Sequence, residues 1–515
     1  MKYHLLLFFI LIGFVGGVSG QGNSLGVFTQ HSDIGSPAIA GSSSYDENSQ
    51  TYTLTGSGSN IWFNEDQFQY CFNQMGGNFI LTADFAFVGD SGDPHRKIGW
   101  MIRESTDSQS AHISAVSHLS GLTVLQWRVL RGAYMRDPQD EIRAAKRHYL
   151  VLQLEREGKL ITMRAAHPGE PLQTIGSHYM ADMPDSVLAG LFICAHDPKA
   201  LAKALIWNVR IDQPAKVVPV SPRPPELGSR MEIMNVFTGV RKVIYEQPGR
   251  FEAPNWMPGG KRLLFNQQGA LYTISDTGGQ PEKLNTGFAA RINNDHGISF
   301  DGKMLAISNS RAGMPEGGST VYVLPLHGGT PRLMTEMTPS YFHGWSPDGK
   351  HFLFVGKQGG HVFNLYRESV NGKKIFPLTA DTVGHVDGPE YSPDGKYIYY
   401  NGNQSGTMQI WRMNPDGSGK EQLTFDQYNN WFPHLSPDGK WMVFLSYPDH
   451  VDPAGHPAYK RVMIRLMPVQ GGDPRVIAYL YGGQGTMNVP CWSPDNRHIA
   501  FVSNSGGLTV TRERK

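Results

Sequence analysis

Histidine, carboxylate and aromatic side chains recur in the C-terminal half of the chain, each a few residues before a repeated phrase. Asp387, Glu390 and His434 could carry acid–base chemistry, because a carboxyl group and an imidazole can exchange a proton near neutral pH. Other members of the set suit the binding of a polar or ring-shaped ligand: His296, His343, Tyr341, Arg291, Asn430, Trp431 and His385. The sequence therefore predicts catalysis or binding, provided that the fold brings these positions together.

The repeated phrase indicates how they could meet. Ser-Pro-Asp-Gly-Lys occurs at 346–350, 392–396 and 436–440, and weaker copies begin at 257, 299 and 493. The residues that lead the six copies are Trp256, Ile298, Trp345, Tyr391, Leu435 and Trp492. Their spacing of 42 to 57 residues, in a pattern of short strands, is typical of the blades of a β-propeller. Pro, Asp and Gly each favour a turn, so we expect the Asp and Lys of the phrase to form turns and not to be catalytic.

The two ends of the repeat region complete each other. Two strands in 230–246 lack partners, and only two strands follow Trp492, within 489–503. We expect them to form one blade, which closes a six-bladed ring without exposed edges. The inner strand of each blade would then line the channel, and the candidate residues would surround one axis.

The repeats resemble those of the TolB-type propeller family over roughly 228–505. This resemblance implies a six-bladed propeller, and the family is known for protein contacts, although saccharide-acting relatives share the blades. Oligogalacturonate lyases are similar propellers with a histidine-rich manganese site, in which alternating histidines precede a late Ser-Pro-Asp-Gly. The matching stretch here, 430–434, retains only His434. That departure argues against a lyase. Histidines from several blades could still hold a divalent cation, Mn or Ca, as a cofactor, with Asp387 as a carboxylate ligand.

Residues 24–212 alternate apolar and polar side chains without a long helical period, which predicts a β-sandwich. The stretches 45–62 and 98–105 resemble a concanavalin-like jelly-roll module of the kind attached to secreted carbohydrate-active proteins. That resemblance implies glycan-binding candidates: Trp100, Arg103, Trp127 and Arg128. The alternative is that the tryptophans pack in the core and the arginines lie on the surface. A Pro-rich linker at 213–228 separates the sandwich from the propeller at 229–505.

Composition and termini restrict the cellular setting. A basic end followed by a short apolar run at 1–20 is typical of an export signal, and no later segment could cross a bilayer. The formal net charge of +1 gives no sign of nucleic-acid binding. Cys71 and Cys194 could form a disulfide in an oxidising compartment or remain buried thiols. We expect a monomeric periplasmic or secreted protein.

Two functions remain. No nucleophile elbow, metalloprotease helix or phosphate-binding loop is present, which excludes the common nucleophilic hydrolases and nucleotide enzymes. The first hypothesis is an exported protein that binds a glycan or a protein partner in the cell envelope. The second is a saccharide-acting lyase or hydrolase with its site at the channel mouth. An insertion at 447–457, rich in Asp and His, could cover one face of the propeller as a lid or could be a solvated loop.

Overall fold

A computed structural model describes residues 25–215, 226–357, 362–371 and 374–508. The predicted export signal and most of the Pro-rich linker lie outside these residues. The described residues form β-strands, with one short 3-10 turn at Pro315–Gly318 and no α-helix. The predicted fold class, a β-sandwich followed by a six-bladed propeller, is confirmed.

Sixteen strands lie before the linker: β1 (Gln30–Ile34), β2 (Ser42–Asp46), β3 (Thr51–Gly58), β4 (Ile61–Trp62), β5 (Glu65–Asp66), β6 (Phe68–Met75), β7 (Phe79–Phe87), β8 (Lys97–Arg103), β9 (His112–His118), β10 (Thr123–Arg128), β11 (Glu141–Arg143), β12 (Val151–Glu157), β13 (Leu160–Ala166), β14 (Gln173–Tyr179), β15 (Val187–Cys194) and β16 (Asp197–Asp212). One sheet has the order β1-β6-β15-β8-β9-β10-β11, and the facing sheet has the order β14-β13-β12-β7-β16-β3-β2. Their inner faces share one apolar core around Trp100, Phe85 and Leu152. The hairpin β4–β5 lies outside both sheets.

The propeller strands follow: β17 (Gly228–Asn235), β18 (Arg241–Gln247), β19 (Phe251–Trp256), β20 (Arg262–Gln267), β21 (Ala270–Ser275), β22 (Gly278–Lys283), β23 (Ile292–Ile298), β24 (Met304–Ser310), β25 (Ser319–Pro325), β26 (Arg332–Leu333), β27 (Ser340–Trp345), β28 (His351–Gly356), β29 (Asn364–Ser369), β30 (Ile375–Pro377), β31 (Val386–Tyr391), β32 (Ile398–Gly402), β33 (Gln409–Met413), β34 (Glu421–Gln422), β35 (Asn429–Leu435), β36 (Trp441–Tyr447), β37 (Lys460–Pro468), β38 (Arg475–Gly482) and β39 (His498–Ser505).

Five blades are antiparallel four-stranded sheets in chain order, with β19, β23, β27, β31 and β35 innermost. The sixth blade joins the two ends of the propeller: β17 pairs with both β39 and β18, and Trp492 bridges to Ile499 on the inner side. Because the last blade takes strands from both ends of the propeller, the ring is closed.

The repeated phrase forms the turn between the first and second strands of a blade. In one copy the Ser346 hydroxyl donates to Asp348 at 2.7 Å, and the backbone N–H of Lys350 donates to the same carboxylate at 3.0 Å. The next strand begins with a bond from the His351 N–H to Ser346 Oγ at 2.9 Å. The same three bonds recur in the copies that start at Ser299, Ser392 and Ser436. The Ser and Asp side chains of the phrase are therefore used to build turns.

The sandwich rests on the blade that closes the ring. Arg210 of β16 forms a buried ion pair with Glu232 of β17 at 2.6 Å, and Glu232 also accepts a bond from Ser503 of β39. A second buried pair joins Asp212 to Arg230 at 2.5 Å. Because Glu232 is held by both β16 and β39, the interface between the domains also ties the two ends of the propeller together.

Candidate functional site

Three histidines converge on Asp387 at the end of the channel where the inner strands begin. His343 Nε2 lies 3.0 Å from one carboxylate oxygen, while His385 Nε2 and His456 Nε2 lie 3.5 and 3.7 Å from the other. Asp387 is the second residue of β31 and His343 lies on β27, so two neighbouring blades supply the closest contact. We call these four residues the Asp387 cluster.

Burial and charge act in opposite directions in this cluster. Burial alone would raise the pKa of Asp387, but His343 and His385 outweigh it and hold the pKa well below its usual value. Burial disfavours protonated His343, yet the Asp387 carboxylate raises the pKa of His343 above 6.5. His456 is different, because burial dominates and lowers its pKa. The cluster thus contains a firmly ionised carboxylate beside histidines whose tendencies to protonate differ.

A second carboxyl group near the cluster has the opposite character. Burial raises the pKa of Asp295 to about 7, with His343 opposing the shift and the Asp387 and Glu252 carboxylates adding to it. Asn293 donates to Asp295 at 2.8 Å, and Asn294 donates to Glu252 at 3.3 Å. Asp295 can therefore carry a proton at a pH at which Asp387 cannot.

The remaining blades continue this arrangement around the axis. Arg250 pairs with Glu252 at 2.7 Å and donates to the carbonyl of Gln484 at 3.0 Å. Gln484 lies on the connection from the fifth blade to the sixth, where Asn488 donates to its side-chain oxygen at 2.9 Å. Polar groups from every blade or its loops thus meet at this end of the channel.

Aromatic rings pack against the histidines of the cluster. The ring of Trp431 lies 4.4 Å from that of His456 and 5.5 Å from that of His385. Phe363 lies 5.5 Å from His385 and 6.0 Å from Tyr341, which places the predicted Tyr341 at the edge of the site. Hydrophobic ring faces and ionisable groups are therefore mixed here, as in many ligand sites.

His456 was missing from the set predicted from the sequence. It comes from the insertion between β36 and β37, where the loop folds back over the end of the channel. Tyr447 fixes the loop by donating to the carbonyl of Pro457 at 3.1 Å. The Asp- and His-rich composition of 447–457 was the available signal, but it could not show which of its residues turns inward.

Glu390 and His434 form a tether between blades. His434 Nδ1 lies 2.7 Å from Glu390, and His434 Nε2 lies 2.8 Å from the carbonyl oxygen of Met487. Glu390 also accepts the backbone N–H of Leu435 at 3.0 Å. In this structure the atoms of the pair join neighbouring blades, and its predicted acid–base role stays a prediction.

The other predicted channel residues are not gathered at the cluster. Both ring nitrogens of His296 are buried without a hydrogen-bond partner among the described residues, and burial lowers its pKa to about 3. Asn430 bonds Gln409, Ser446 and Arg465 within its own part of the propeller. Arg291 is exposed beside the start of β23.

The four glycan-binding candidates of the sandwich are buried, which corrects the expectation that they face a ligand. Trp100 lies in the core and donates to the carbonyl of Leu152 at 3.2 Å, and Trp127 stacks on His178. Arg103 and Arg128 both reach the buried Asp66. None of the four presents an open face to a sugar ring, because the tryptophans pack in the core between the sheets and the arginines lie under the hairpin β4–β5.

The described residues contain no group of three or more His, Cys, Asp or Glu side chains placed to hold one metal ion. The Asp387 cluster is arranged instead as pairs between imidazoles and a carboxylate. Cys71, Cys194 and Cys491 are free, buried thiols, and burial raises the pKa of Cys71 to about 12. In the part of the chain that the structure describes, no helix is long and apolar enough to span a membrane.

The fold and its channel define a closed six-bladed propeller protein that carries an N-terminal β-sandwich. A family model described as the TolB beta propeller domain matches residues 317–507. The chain is 48% identical over 275 residues to the uncharacterized protein Atu1656 of Agrobacterium fabrum, a match that covers 53% of this chain and 92% of that protein. The chain therefore belongs to the TolB-type β-propeller family, and the predicted resemblance is confirmed for the propeller.

Two further comparisons agree with this assignment. A solved structure of a candidate TolB from Agrobacterium tumefaciens is 47% identical, with a TM-score of 0.51, and the match covers 54% of this chain and 99% of that one. The Tol-Pal system protein TolB of Francisella tularensis is 23% identical over 277 residues, covering 51% of this chain and 59% of that protein. Each of these three matches covers about half of this chain.

Proposed function

We propose that this protein is exported and binds a protein partner in the cell envelope, with the partner docking on the face that surrounds the Asp387 cluster. We call this face the entry face. It is formed by the connections that lead from the outer strand of one blade to the inner strand of the next. The export signal expected at 1–20 and the similarity to proteins named for the Tol-Pal system support the location.

Exposed apolar side chains on the entry face carry the proposal. Val383 and Phe425 are each 78% exposed and Phe288 is 59% exposed, and each lies on one of these connections. Large apolar side chains grouped on one face of a soluble protein are typical of protein contact sites. The Asp387 cluster at the centre would add charged and hydrogen-bonding groups to such a contact.

A photo-crosslinking experiment tests this proposal. A photoactivatable residue placed at Phe425 should form a discrete crosslinked product in cells, which mass spectrometry can identify. Phe300 provides a matched control, because it is 52% exposed on the opposite face, in the turn after β23. Equal products from both positions, or none from Phe425, would contradict docking on the entry face.

One observation keeps a saccharide-acting enzyme as a second candidate. Asp387 and Asp295 lie in one site, and their surroundings move their pKa values in opposite directions, as in pairs in which one carboxyl donates a proton while the other stays ionised. Asp295 thereby joins Asp387, Glu390 and His434 as a catalytic candidate.

Acidic and neutral oligosaccharides, offered with and without manganese or calcium, test the enzyme. Product that is lost in both Asp295→Asn and Asp387→Asn would favour this candidate. A thermal shift without product would indicate a glycan-binding protein. The divalent cofactor stays a prediction, which a dependence of product formation on the added cation would support. The likeness of the sandwich to concanavalin-like modules also stays a prediction.

A further inference from the structure

A cavity of about 520 Å³ lies between the sandwich and the propeller, away from the channel. The sandwich contributes Asp84 of β7 together with Trp207 and Asn208 of β16. The propeller contributes the turn between β17 and β18, the start of β18 and much of β38. Volumes of this order are typical of sites for small organic ligands.

A bulge in β16 shapes the sandwich wall of this cavity. The pairing of β16 with β7 is interrupted between Trp207 and Arg210, and Asn208 has a φ of 53°, in the left-handed region. Trp207 lies directly opposite Asp84 in the register, so the two side chains project from the same face, a few ångströms apart. Bulges commonly redirect side chains toward functional sites.

Hydrogen bonds between the domains hold the walls in place. Asn208 donates through its side-chain amide to the carbonyl of Gly239 at 2.9 Å and accepts the backbone N–H of Arg241 at 3.0 Å. On the other side, the N–H of Val476 bonds the carbonyl of Gly169 at 2.8 Å. The cavity is therefore bounded by a bonded interface on two sides and is not a loose gap.

Charged side chains of both signs line the cavity: Asp84, Glu170 and Asp473 are acidic, and Arg241 and Arg475 are basic. Asp84 accepts a hydrogen bond from Asn208 at 2.6 Å, and no basic side chain of the described residues lies within ion-pair distance of it. Burial raises the pKa of Asp84 to about 6. Arg241 lines the propeller side of the cavity and lies 3.7 Å from the buried Glu232. Because carboxylates and guanidinium groups line the same cavity, an ion of either sign would meet repulsion as well as attraction, so the mixed lining favours a neutral ligand.

The half-buried indole of Trp207 narrows the class of ligand further. An aromatic ring offers a flat apolar surface. A carboxylate accepts hydrogen bonds and donates none, so it suits a ligand with several hydroxyl donors. Neutral sugars have both properties, because their hydroxyl groups surround rings with apolar faces. We propose that this cavity binds a neutral sugar of one or two rings, independently of the entry face.

Isothermal titration of the full chain with neutral mono- and disaccharides tests the proposal. At least one sugar should bind saturably, and Asp84→Asn and Trp207→Leu should each weaken it at least tenfold. Asp185→Asn is the matched control, since Asp185 is a largely exposed carboxylate elsewhere on the sandwich. If Asp84→Asn does not fold, Trp207→Phe and Thr238→Ala provide milder changes to the same cavity.

A crystal soaked with the tightest sugar locates the site. Sugar density between Trp207 and Asp84 would establish it. The proposal is overturned if no sugar binds, if the cavity variants bind as well as Asp185→Asn, or if the sugar occupies another place.

Discussion

Two buried aspartates, one in each domain, are each surrounded by three basic side chains. In the sandwich, Asp66 receives two bonds from Arg128 at 2.7 and 2.8 Å, with Arg103 at 3.5 Å and His112 at 3.9 Å. In the propeller, Asp387 is surrounded by histidines alone. The two groups are similar in burial and in number of partners, but differ in the chemistry of those partners.

The difference decides what each group can do. An arginine stays charged at any physiological pH, so the Asp66 pairs are permanent. Burial and the nearby arginines hold the pKa of His112 well below 6.5, so it adds no titrating charge. Histidines can gain or lose a proton near neutral pH, so the charge of the Asp387 cluster can change. The first group is suited to holding a sheet together, and the second to responding to a ligand.

The largest expected effect separates the two aspartates. Asp66→Asn should lower the free energy of unfolding by about 3–5 kcal/mol at pH 7.5, because it leaves buried arginines without their partner. Asp387→Asn should cost only about 1 kcal/mol, because the histidines can become neutral when the carboxylate is removed. Urea unfolding followed by tryptophan fluorescence measures both. Equal losses of unfolding free energy in the two variants would contradict the distinction between the two aspartates.

The next effect concerns Asp295 and has the opposite sign. Its folded pKa of about 7 lies above the usual 3.8, so the folded state loses stability as the pH rises from 4 to 7. Asp295→Asn should therefore raise the free energy of unfolding at pH 8 by about 2–3 kcal/mol, with no gain below pH 4. Asp185→Asn, at an exposed carboxyl, should show no such gain. Stabilisation that is independent of pH would point to packing instead of charge.

A slightly smaller effect is expected at His296. Its pKa is near 3 when folded and 6.5 when unfolded, so stability falls as the pH drops through this interval. When the pH drops from 7 to 5, the free energy of unfolding of His296→Leu should fall by about 2 kcal/mol less than that of the parent protein. The reason is that the leucine takes up no proton on unfolding. Urea midpoints at several pH values measure this, and parallel curves for the two proteins would contradict it.

The smallest effect tests the loop that completes the histidine group. His456→Ala should cost about 1 kcal/mol or less, because His456 packs on Trp431 but contributes only one ring from a surface loop. The fluorescence of Trp431 should shift to the red as the ring becomes hydrated. His450→Ala in the same loop is the control, since His450 is 77% exposed, and it should change neither quantity. A matching shift in the control would show that the loop does not cover the site through His456.

Local turn chemistry explains why the propeller was predictable. Each copy of Ser-Pro-Asp-Gly-Lys carries its own hydrogen bonds, as at Ser346 and Asp348, and the spacing of the copies sets the blades. His343, His385 and Asp387 were recognised as candidates because the inner strands must start around one axis. Their mutual distances could not be predicted from spacing.

The remaining site residues depend on contacts that are remote in sequence. A register shift between Asp387 and Glu390 directs the first into the cluster and the second toward His434 of the next blade. In the sandwich, alternation indicates that one face of Lys97–Arg103 is buried, but it does not reveal that the hairpin bearing Asp66 covers the other face. Arg103 therefore looked like a surface residue and is a buried one.

An NMR titration of the histidine rings tests the account most directly. The resonance of His343, assigned by its loss in His343→Gln, should titrate with a pKa above 6.5 in the parent protein. In Asp387→Asn the same pKa should fall, because the carboxylate that favours the protonated ring is gone while the ring stays buried. A pKa for His343 at or below 6.5 in the parent protein, or one that Asp387→Asn leaves unchanged, would contradict the view that Asp387 controls the charge of this site.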